Sequence, residues 1–443
     1  LRKLSAVRWK TELLSLLGIS MIAYSVVSFD SETPFPSFYT LVPVLGACLI
    51  IVFSDSKSFI GCILSHNVLV FVGLISYSLY LWHQPLFAFL RGKSIGEPST
   101  YLFTVAIAGT FILAFLTWKY IEKPFRDKVK FTRALIFQSS AASIAIFFSV
   151  GLAGHFYKGF ASRFDMPSYT DSIKFSPKRE ECHTTGENYL RPSEACKYFG
   201  DSITWASFGD SHTIEPAYAL AKRLESKNEG LVHLSFSGCA PAFLFEVKVP
   251  GCTEWIKESL NYLENAKSVQ NVLMGFRYSS FLYGDHVNYF PSLPDINPEY
   301  QFANSSRPLN ATEARELYWT SLEAIISKLI AAGKNVYILY PIPELPVNIH
   351  KAIAPFSVLG KTTMLDLDRS ISAQYYFRRN QFIIKNLDSL PYSENLHAIK
   401  PFEILCDENY CPAVKEGTAL YFDDDHLSVA GSVLLIRSLN FEK

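Results

Sequence analysis

The sequence predicts two architectures in one chain: a multi-span α-helical membrane segment, then an α/β domain whose parallel sheet is flanked by helices. Three observations carry this. Five apolar stretches without Asp, Glu, Lys or Arg fall within residues 13–154. From Ser202 onward, short apolar runs alternate with helix-compatible segments, the βαβ pattern of a parallel sheet. Six of the eight cysteines follow the last apolar stretch, as in a domain exported to an oxidising compartment.

Composition bounds the rest. The 41 basic and 41 acidic side chains cancel, which implies no nucleic-acid surface. A hydrophobic share of 49% is high for a wholly soluble protein, and the excess lies in the first third. The chain begins at Leu1, with no signal peptide before the first apolar stretch, the pattern expected of a truncated or processed chain.

The apolar stretches are Leu13–Phe29, Phe38–Phe53, Val68–Leu90, Thr100–Trp118 and Ala134–Gly154. A bilayer core needs about 20 apolar residues, so the second requires its flanks. Arg2, Lys3, Arg8 and Lys10 precede the first, while Lys123, Arg126, Lys128, Lys130 and Arg133 fill the connection before the fifth. The positive-inside rule puts both on the cytoplasmic side and everything after Gly154 outside. In that outer part, sequence proximity favours the pairs Cys182–Cys196, Cys239–Cys252 and Cys406–Cys411, although six cysteines allow other pairings. No Cys-x-x-Cys spacing supports a zinc site, and no metal is expected.

After a linker rich in Pro, Ser and charge, strands are expected at Ile203–Phe208, Gly230–Phe236, Asn271–Phe276, Asn335–Tyr340 and, last, Phe402–Leu405. Helices are expected at Thr213–Ser226, Glu254–Ala266, 311–332 after an Asn310 cap, and near Ser370–Leu387. Asp285–Arg307, long and aromatic-polar, is a candidate acceptor-binding or lid loop.

Two short stretches carry the chemistry. Gly209-Asp210-Ser211-His212 ends the first strand run, placing Ser211 on a strand-to-helix turn where a hydroxyl is exposed. Near the other end, Asp423 precedes His426 by three residues. A serine nucleophile needs a base, and the base needs an orienting acceptor; Ser211, His426 and Asp423 supply the three roles. Asp424 and Asp425 read as turn or helix-start acids. His212 is close enough for a local bond, and His183, His233 and His286 have no partner spacing.

Gly-Asp-Ser near the start and Asp-x-x-His near the end resemble the SGNH (GDSL-like) hydrolase family. That resemblance implies oxyanion donors at the amides of Ser211 and Gly238. It also marks a departure: where the family's third block reads Gly-x-Asn-Asp, this chain has Gly275-Phe-Arg-Tyr278. Arg277 then has three readings: a substitute oxyanion donor, a contact to an anionic saccharide, or a partner for a carboxylate. In the membrane part, Ile75-Ser-Tyr-Ser-Leu-Tyr-Leu-Trp-His-Gln-Pro-Leu86 and Tyr120-Ile-Glu-Lys-Pro-Phe-Arg126 are similar to the acyltransferase-3 family. Only the last spans of that domain have a counterpart here, and interfacial anchoring and helix packing account for these residues better than direct chemistry.

Together the resemblances imply four segments. Residues 1–125 are the C-terminal part of an acyltransferase-3 membrane domain with about four spans. Residues 126–156 are a cytoplasmic connection and a linking transmembrane helix, residues 157–200 a linker or entry segment, and residues 201–443 the SGNH-like domain. The implied activity is that of a membrane-bound O-acyltransferase in the bacterial cytoplasmic (inner) membrane. Its exported domain would place an acyl group, with acetyl-CoA the expected donor and no bound cofactor, on a cell-envelope polysaccharide such as O-antigen or lipopolysaccharide. A membrane-tethered carbohydrate esterase (deacetylase) is the alternative, because the same triad runs both ways. A non-catalytic glycan-binding module is a third reading.

Overall fold

The structure is a computed structural model and describes residues 8–30, 33–55, 58–93, 98–127, 131–157, 159–160, 168–293, 302–303, 309–353, 365–437 and 439. Arg2, Lys3, Lys128, Lys130 and much of the Asp285–Arg307 loop lie outside these residues. Two compact units are present: Leu1–Leu90 with Pro98–Ala153, and Arg91–Glu97 with Gly154–Lys443.

The first unit is helical. All five apolar stretches form helices: α1 (Arg8–Ser28), α2 (Leu41–Phe53), α3 (Asn67–Lys93), α4 (Thr100–Thr117) and α5 (Arg133–Phe156). Among the described residues, three helical segments are long and apolar enough to cross a membrane: Trp9–Ser28, Thr100–Phe125 and Arg133–Phe156. The other two stretches fall short for different reasons. The 13 residues of α2 rise only about 20 Å against a core of about 30 Å. The 27 residues of α3 suffice in length, but Tyr77, Tyr80, His83 and Gln84 dilute its hydropathy. No side chain of α5 is buried within the unit; an apolar helix with no protein cover is suited to lipid. The two stretches similar to the acyltransferase-3 family are tied together: Trp82 Nε1 donates to Thr117 Oγ1 at 2.9 Å, and Ser78 donates to Glu122. These bonds join neighbouring helices, as the packing reading expects.

The second unit is an α/β domain. Its central sheet contains β1 (Lys197–Tyr198), β2 (Ser202–Gly209), β3 (Glu229–Ser235), β4 (Asn271–Gly275), β5 (Asn335–Leu339) and β6 (Leu396–Ile399), ordered β1-β3-β2-β4-β5-β6. All neighbours are parallel except β1, which runs antiparallel to β3. Helices cover both faces, which explains why the strands read as nearly unbroken apolar runs. Side chains alternate across the sheet. Ala206, Phe208, Val232, Leu234, Val272, Met274, Val336 and Ile338 face one core with α7 (Cys252–Asn265) and α8 (Ala311–Ala331). Trp205, Leu231, Leu273 and Leu339 face the other with α6 (Ile214–Glu225) and α10 (Val429–Arg437).

Most expected elements form close to their expected bounds. The Asn310 cap is present, its side chain accepting from the amides of Thr312 and Glu313 while Glu313 reaches back to the Asn310 amide. The expected helix near Ser370 starts later, as α9 (Ala373–Asp388), where Ser372 caps it. The expected last strand is wrong. Phe402–Leu405 belongs to a short helix, Pro401–Leu405, because Pro401 lacks an amide hydrogen and has a φ suited to a helix's first turn. The last strand of the central sheet is Leu396–Ile399, one segment earlier. The cysteines pair as Cys182–Cys196, Cys239–Cys252 and Cys406–Cys411.

The chain order β2–β3–β4 with β2 in the middle makes the end of β2 the point where connections diverge to opposite sides, which is where α/β sheets bind ligands. That end depends on a glycine. A Cβ at Gly209 would lie 1.8 Å from the Gly275 carbonyl oxygen, a distance no carbon tolerates. Gly209→Ala is therefore expected to destabilise the domain by about 2 kcal/mol or more, a fall in Tm of roughly 4–8 °C for a domain of this size. Thermal unfolding of the two proteins side by side checks this; an unchanged Tm would mean the strand end is not held this closely.

Candidate active site

The turn after β2 presents Ser211. Asp210 caps it: Oδ1 accepts from the His212 amide at 2.9 Å and Oδ2 from the Arg277 amide at 2.6 Å. One buried carboxylate thus ties the nucleophile turn to the end of β4. Burial pushes the Asp210 carboxyl up, opposed by His212 and by these two amide donors.

The second stretch is a tight turn closed by its own ends. Tyr421 and Leu427 form an antiparallel bridge, and the Phe422 amide donates to the His426 carbonyl. Asp423 Oδ1 accepts from the amides of Asp425 and His426, at 3.0 and 2.7 Å. Buried Leu427 anchors the turn in the core. Ser428 then begins α10, its Oγ accepting from the Gly431 amide. Arg223 of α6 donates to the carbonyls of Ile436 and Leu439 at the far end of α10. The helix that follows Ser211 and the helix that follows His426 are therefore bonded to each other, and this brings the distant stretches together.

The three residues singled out in the sequence meet there. His426 Nε2 lies 2.7 Å from Ser211 Oγ, and His426 Nδ1 lies 2.8 Å from Asp423 Oδ2. Ser211 and His426 open onto a cavity of about 750 Å³ whose wall includes Gly238, Lys248, Phe276, Arg277, Tyr283 and Tyr289. Gly238 has φ +62°, and a Cβ there would meet nothing within 4 Å; glycine is needed for the left-handed backbone, not for space. Its loop is gripped on both sides. The Ser237 amide donates to the Thr184 carbonyl at 2.9 Å, and Cys239 is bonded to Cys252.

Arg277 takes the third of its readings. Its guanidinium meets Glu344 at 2.6 Å, Asp425 at 2.9 Å and Asp285 at 3.0 Å. The group is a half-buried partner of carboxylates, and they hold it well above its ordinary value against the opposing effect of burial.

Four features were not legible in the sequence. Asp425, read as a turn acid, is buried, with Oδ1 3.0 Å from His426 Nδ1 and Oδ2 3.1 Å from His212 Nε2. The His212 amide bonds locally to Asp210, and its side chain bonds to a residue at the other end of the chain. Phe422 stacks on the His426 ring at 5.4 Å, and the Arg179 guanidinium lies over Phe422 at 4.9 Å. Arg179 is fixed by buried Glu215 at 2.8 Å. The one available signal was the aromatic residue directly before the Asp run.

The electrostatics follow from this crowding of carboxylates. Burial lowers the affinity of His426 for a proton, but Asp425 and Asp423 outweigh it and raise its pKa to about 10. Burial raises Asp425, and His426, His212 and Arg277 overcome that and hold it well below the usual carboxylate range. Asp424 is pushed up to about 7 by burial and by its acidic neighbours. His183 and His233 belong to a buried chain, His183–Ser235–His233–Ser207, with contacts of 2.8–2.9 Å. Burial holds both below the ordinary histidine value, at about 4 and about 3.

Comparison with known proteins places the arrangement. Over 112 residues the chain is 34% identical to the peptidoglycan O-acetyltransferase OatA of Listeria monocytogenes, covering 23% of this chain and 18% of that protein. Over 121 residues it is 26% identical to the O-acetyltransferase OatA of Staphylococcus aureus, covering 26% and 20%. The matches thus span a fifth or less of these relatives' length. Among solved structures, the lipopolysaccharide acetyltransferase periplasmic domain of Salmonella ser. Paratyphi A superposes with a TM-score of 0.41 and 16% identity, over 64% of this chain and 94% of that one. The family model described as the SGNH domain fused to AT3 domains matches residues 181–440, more than half of the sequence, and the chain belongs to that family.

Proposed function

We propose that the protein is a membrane-bound O-acyltransferase that modifies a cell-envelope glycan through an acyl-enzyme on Ser211. The observation that carries this is the contact series Ser211 Oγ, His426 Nε2, His426 Nδ1, Asp423 Oδ2, open to one cavity. In the first half-reaction Ser211 Oγ attacks the acyl carbonyl and its proton passes to His426 Nε2. The tetrahedral oxyanion forms beside the amides of Ser211 and Gly238. Its collapse expels the donor's leaving group, which takes the proton from His426. A sugar hydroxyl then attacks the acyl-Ser211 ester and gives its proton to His426. The second collapse releases the acylated glycan, and the proton returns to Ser211. Asp423 keeps the imidazole in the right tautomer throughout.

Transfer rather than hydrolysis fits the similarity to O-acetyltransferases, and Tyr283 and Tyr289 are in the cavity wall, where aromatic side chains suit a saccharide. The membrane unit supplies the acyl group, with acetyl-CoA the donor on the cytoplasmic side. The basic flanks of α1 and α5 support an SGNH domain outside the bacterial inner membrane. The similarity to peptidoglycan and lipopolysaccharide acetyltransferases fits an envelope glycan as acceptor.

The test separates transferase from esterase. Given an aryl acetate, the protein should release the aryl group slowly in water and much faster when glycan oligosaccharides are present, with acetyl ester appearing on the sugar. Rapid release that glycan does not accelerate would make it an esterase. Neither reaction would leave only the binding-module reading. A reporter joined after Lys443 should be active only outside the cytoplasm.

A further inference from the structure

Two carboxylates meet the same nitrogen of His426. Asp423 Oδ2 is 2.8 Å from Nδ1 and Asp425 Oδ1 is 3.0 Å from it. One N–H can be shared between them but not donated fully to both. Their surroundings differ. Asp423 is half-buried and spends its other oxygen on two backbone amides of its own turn. Asp425 is buried, and its other oxygen meets His212 Nε2 at 3.1 Å and Arg277 Nε at 2.9 Å. Arg277 is held in turn by Glu344 and Asp285, and Glu344 also meets Arg379 at 2.5 Å. The result is an alternating series of charges, from Arg379 through Glu344 and Arg277 to Asp425, ending on the imidazole.

We propose that Asp425 is a second positioning carboxylate for His426, and that Arg277 acts by holding Asp425 in place instead of serving the oxyanion. The inference rests on the acyl-enzyme reading of Ser211. Three observations support it. Asp425 belongs to the turn that carries His426, so its placement fixes the ring from a second direction. His212, directly after the nucleophile, completes the hold, so the nucleophile turn and the histidine turn share one carboxylate. The Arg277 side chain, engaged by three carboxylates, has little freedom to swing towards a substrate oxygen.

A purely structural Asp425 would affect folding alone. A positioning Asp425 also sets how strongly His426 holds its proton, because an opposite charge at this distance favours the charged ring. The other groups that face the ring are Asp423 at Nδ1 and His212 at 4.9 Å between ring centroids. Asp210, Glu215, Arg179 and His183 surround it further out, and all remain in the variants below.

The experiment is the pH dependence of Ser211 acylation by an aryl acetate, measured on the full chain in detergent by the burst of released aryl alcohol. In the parent protein the rate should climb with pH towards the raised value of His426. In Asp425→Asn the climb should level off about 1–3 pH units lower. Arg277→Gln should shift the plateau in the same direction and by less, because Asp425 keeps its charge but loses one of the groups that hold it against the ring. If Asp425→Asn does not fold because Arg277 loses a partner, the pair Asp425→Asn with Arg277→Gln removes both charges together and should also level off early. An unchanged midpoint in Asp425→Asn or in the pair, or a later plateau in Arg277→Gln, overturns the assignment. If the parent forms no acyl-Ser211, the functional reading fails; if it does and the midpoints fail to move, only this inference falls.

Discussion

Replacing His426 with Ala is expected to slow acylation of Ser211 by about four to six orders of magnitude, the range seen when a serine loses its base. A neutral hydroxyl is a weak nucleophile, and among the described residues only His426 Nε2 is placed 2.7 Å from Ser211 Oγ. Asp423→Asn should cost less than the roughly four orders lost where a single carboxylate fixes the tautomer, because Asp425 Oδ1 also lies 3.0 Å from Nδ1. The pH profile gives the sign. The pKa of His426 is raised to about 10 by its two carboxylates against the effect of burial. The two carboxylates favour the protonated ring, so acylation should climb as rising pH frees Nε2. In His426→Ala the climb should vanish with the rate. A residual rate with the parent's pH dependence would mean that another group serves as base. Pre-steady-state burst kinetics with an aryl acetate measure both quantities.

Glu344→Ala is expected to cost about 3–5 kcal/mol of stability, the penalty for stranding buried charges. Glu344 is 8% exposed and bonds Arg277 at 2.6 Å and Arg379 at 2.5 Å. Burial alone would raise its carboxyl, but the two guanidinium groups win and lower it from 4.5 to about 2. A depressed carboxyl stabilises the fold above its unfolded value and loses that contribution as pH falls through the folded value. Glu344 thus contributes about 3 kcal/mol above pH 4.5, lost between there and pH 2. Urea unfolding at pH 7 and pH 3 tests both statements. The variant should be weaker at pH 7 by most of that amount, and the gap should narrow at pH 3.

What the sequence made legible follows from which interactions are local. The central strands were readable because helices cover both faces, so runs such as Ile203–Phe208 and Asn271–Phe276 are mostly apolar. Asn310 and Glu313 announced a helix start because a cap is made within four residues. Ser211, Asp423 and His426 were readable because triad chemistry restricts residue types, and Asp423 sits one helical turn from its partner. Phe402–Leu405 misled for a local reason: four apolar or long side chains resemble a strand unless the proline before them is weighed. Asp425, Arg277 and Glu344 could not be assigned. Each is defined by partners dozens to hundreds of residues away, as with the 213 residues between His212 and Asp425. Three adjacent acids look alike in sequence, and only the fold shows that Asp423 and Asp425 both reach the imidazole and that Asp425 is the buried one.

The central claim is that Ser211 carries the acyl group, and the most direct measurement is intact and peptide mass spectrometry of protein quenched during turnover of an acetyl donor ester. The account expects a gain of one acetyl group, mapped to the peptide containing Ser211, discharged on addition of a glycan acceptor and absent from Ser211→Ala. An adduct that survives Ser211→Ala, or that maps to another residue, would contradict it.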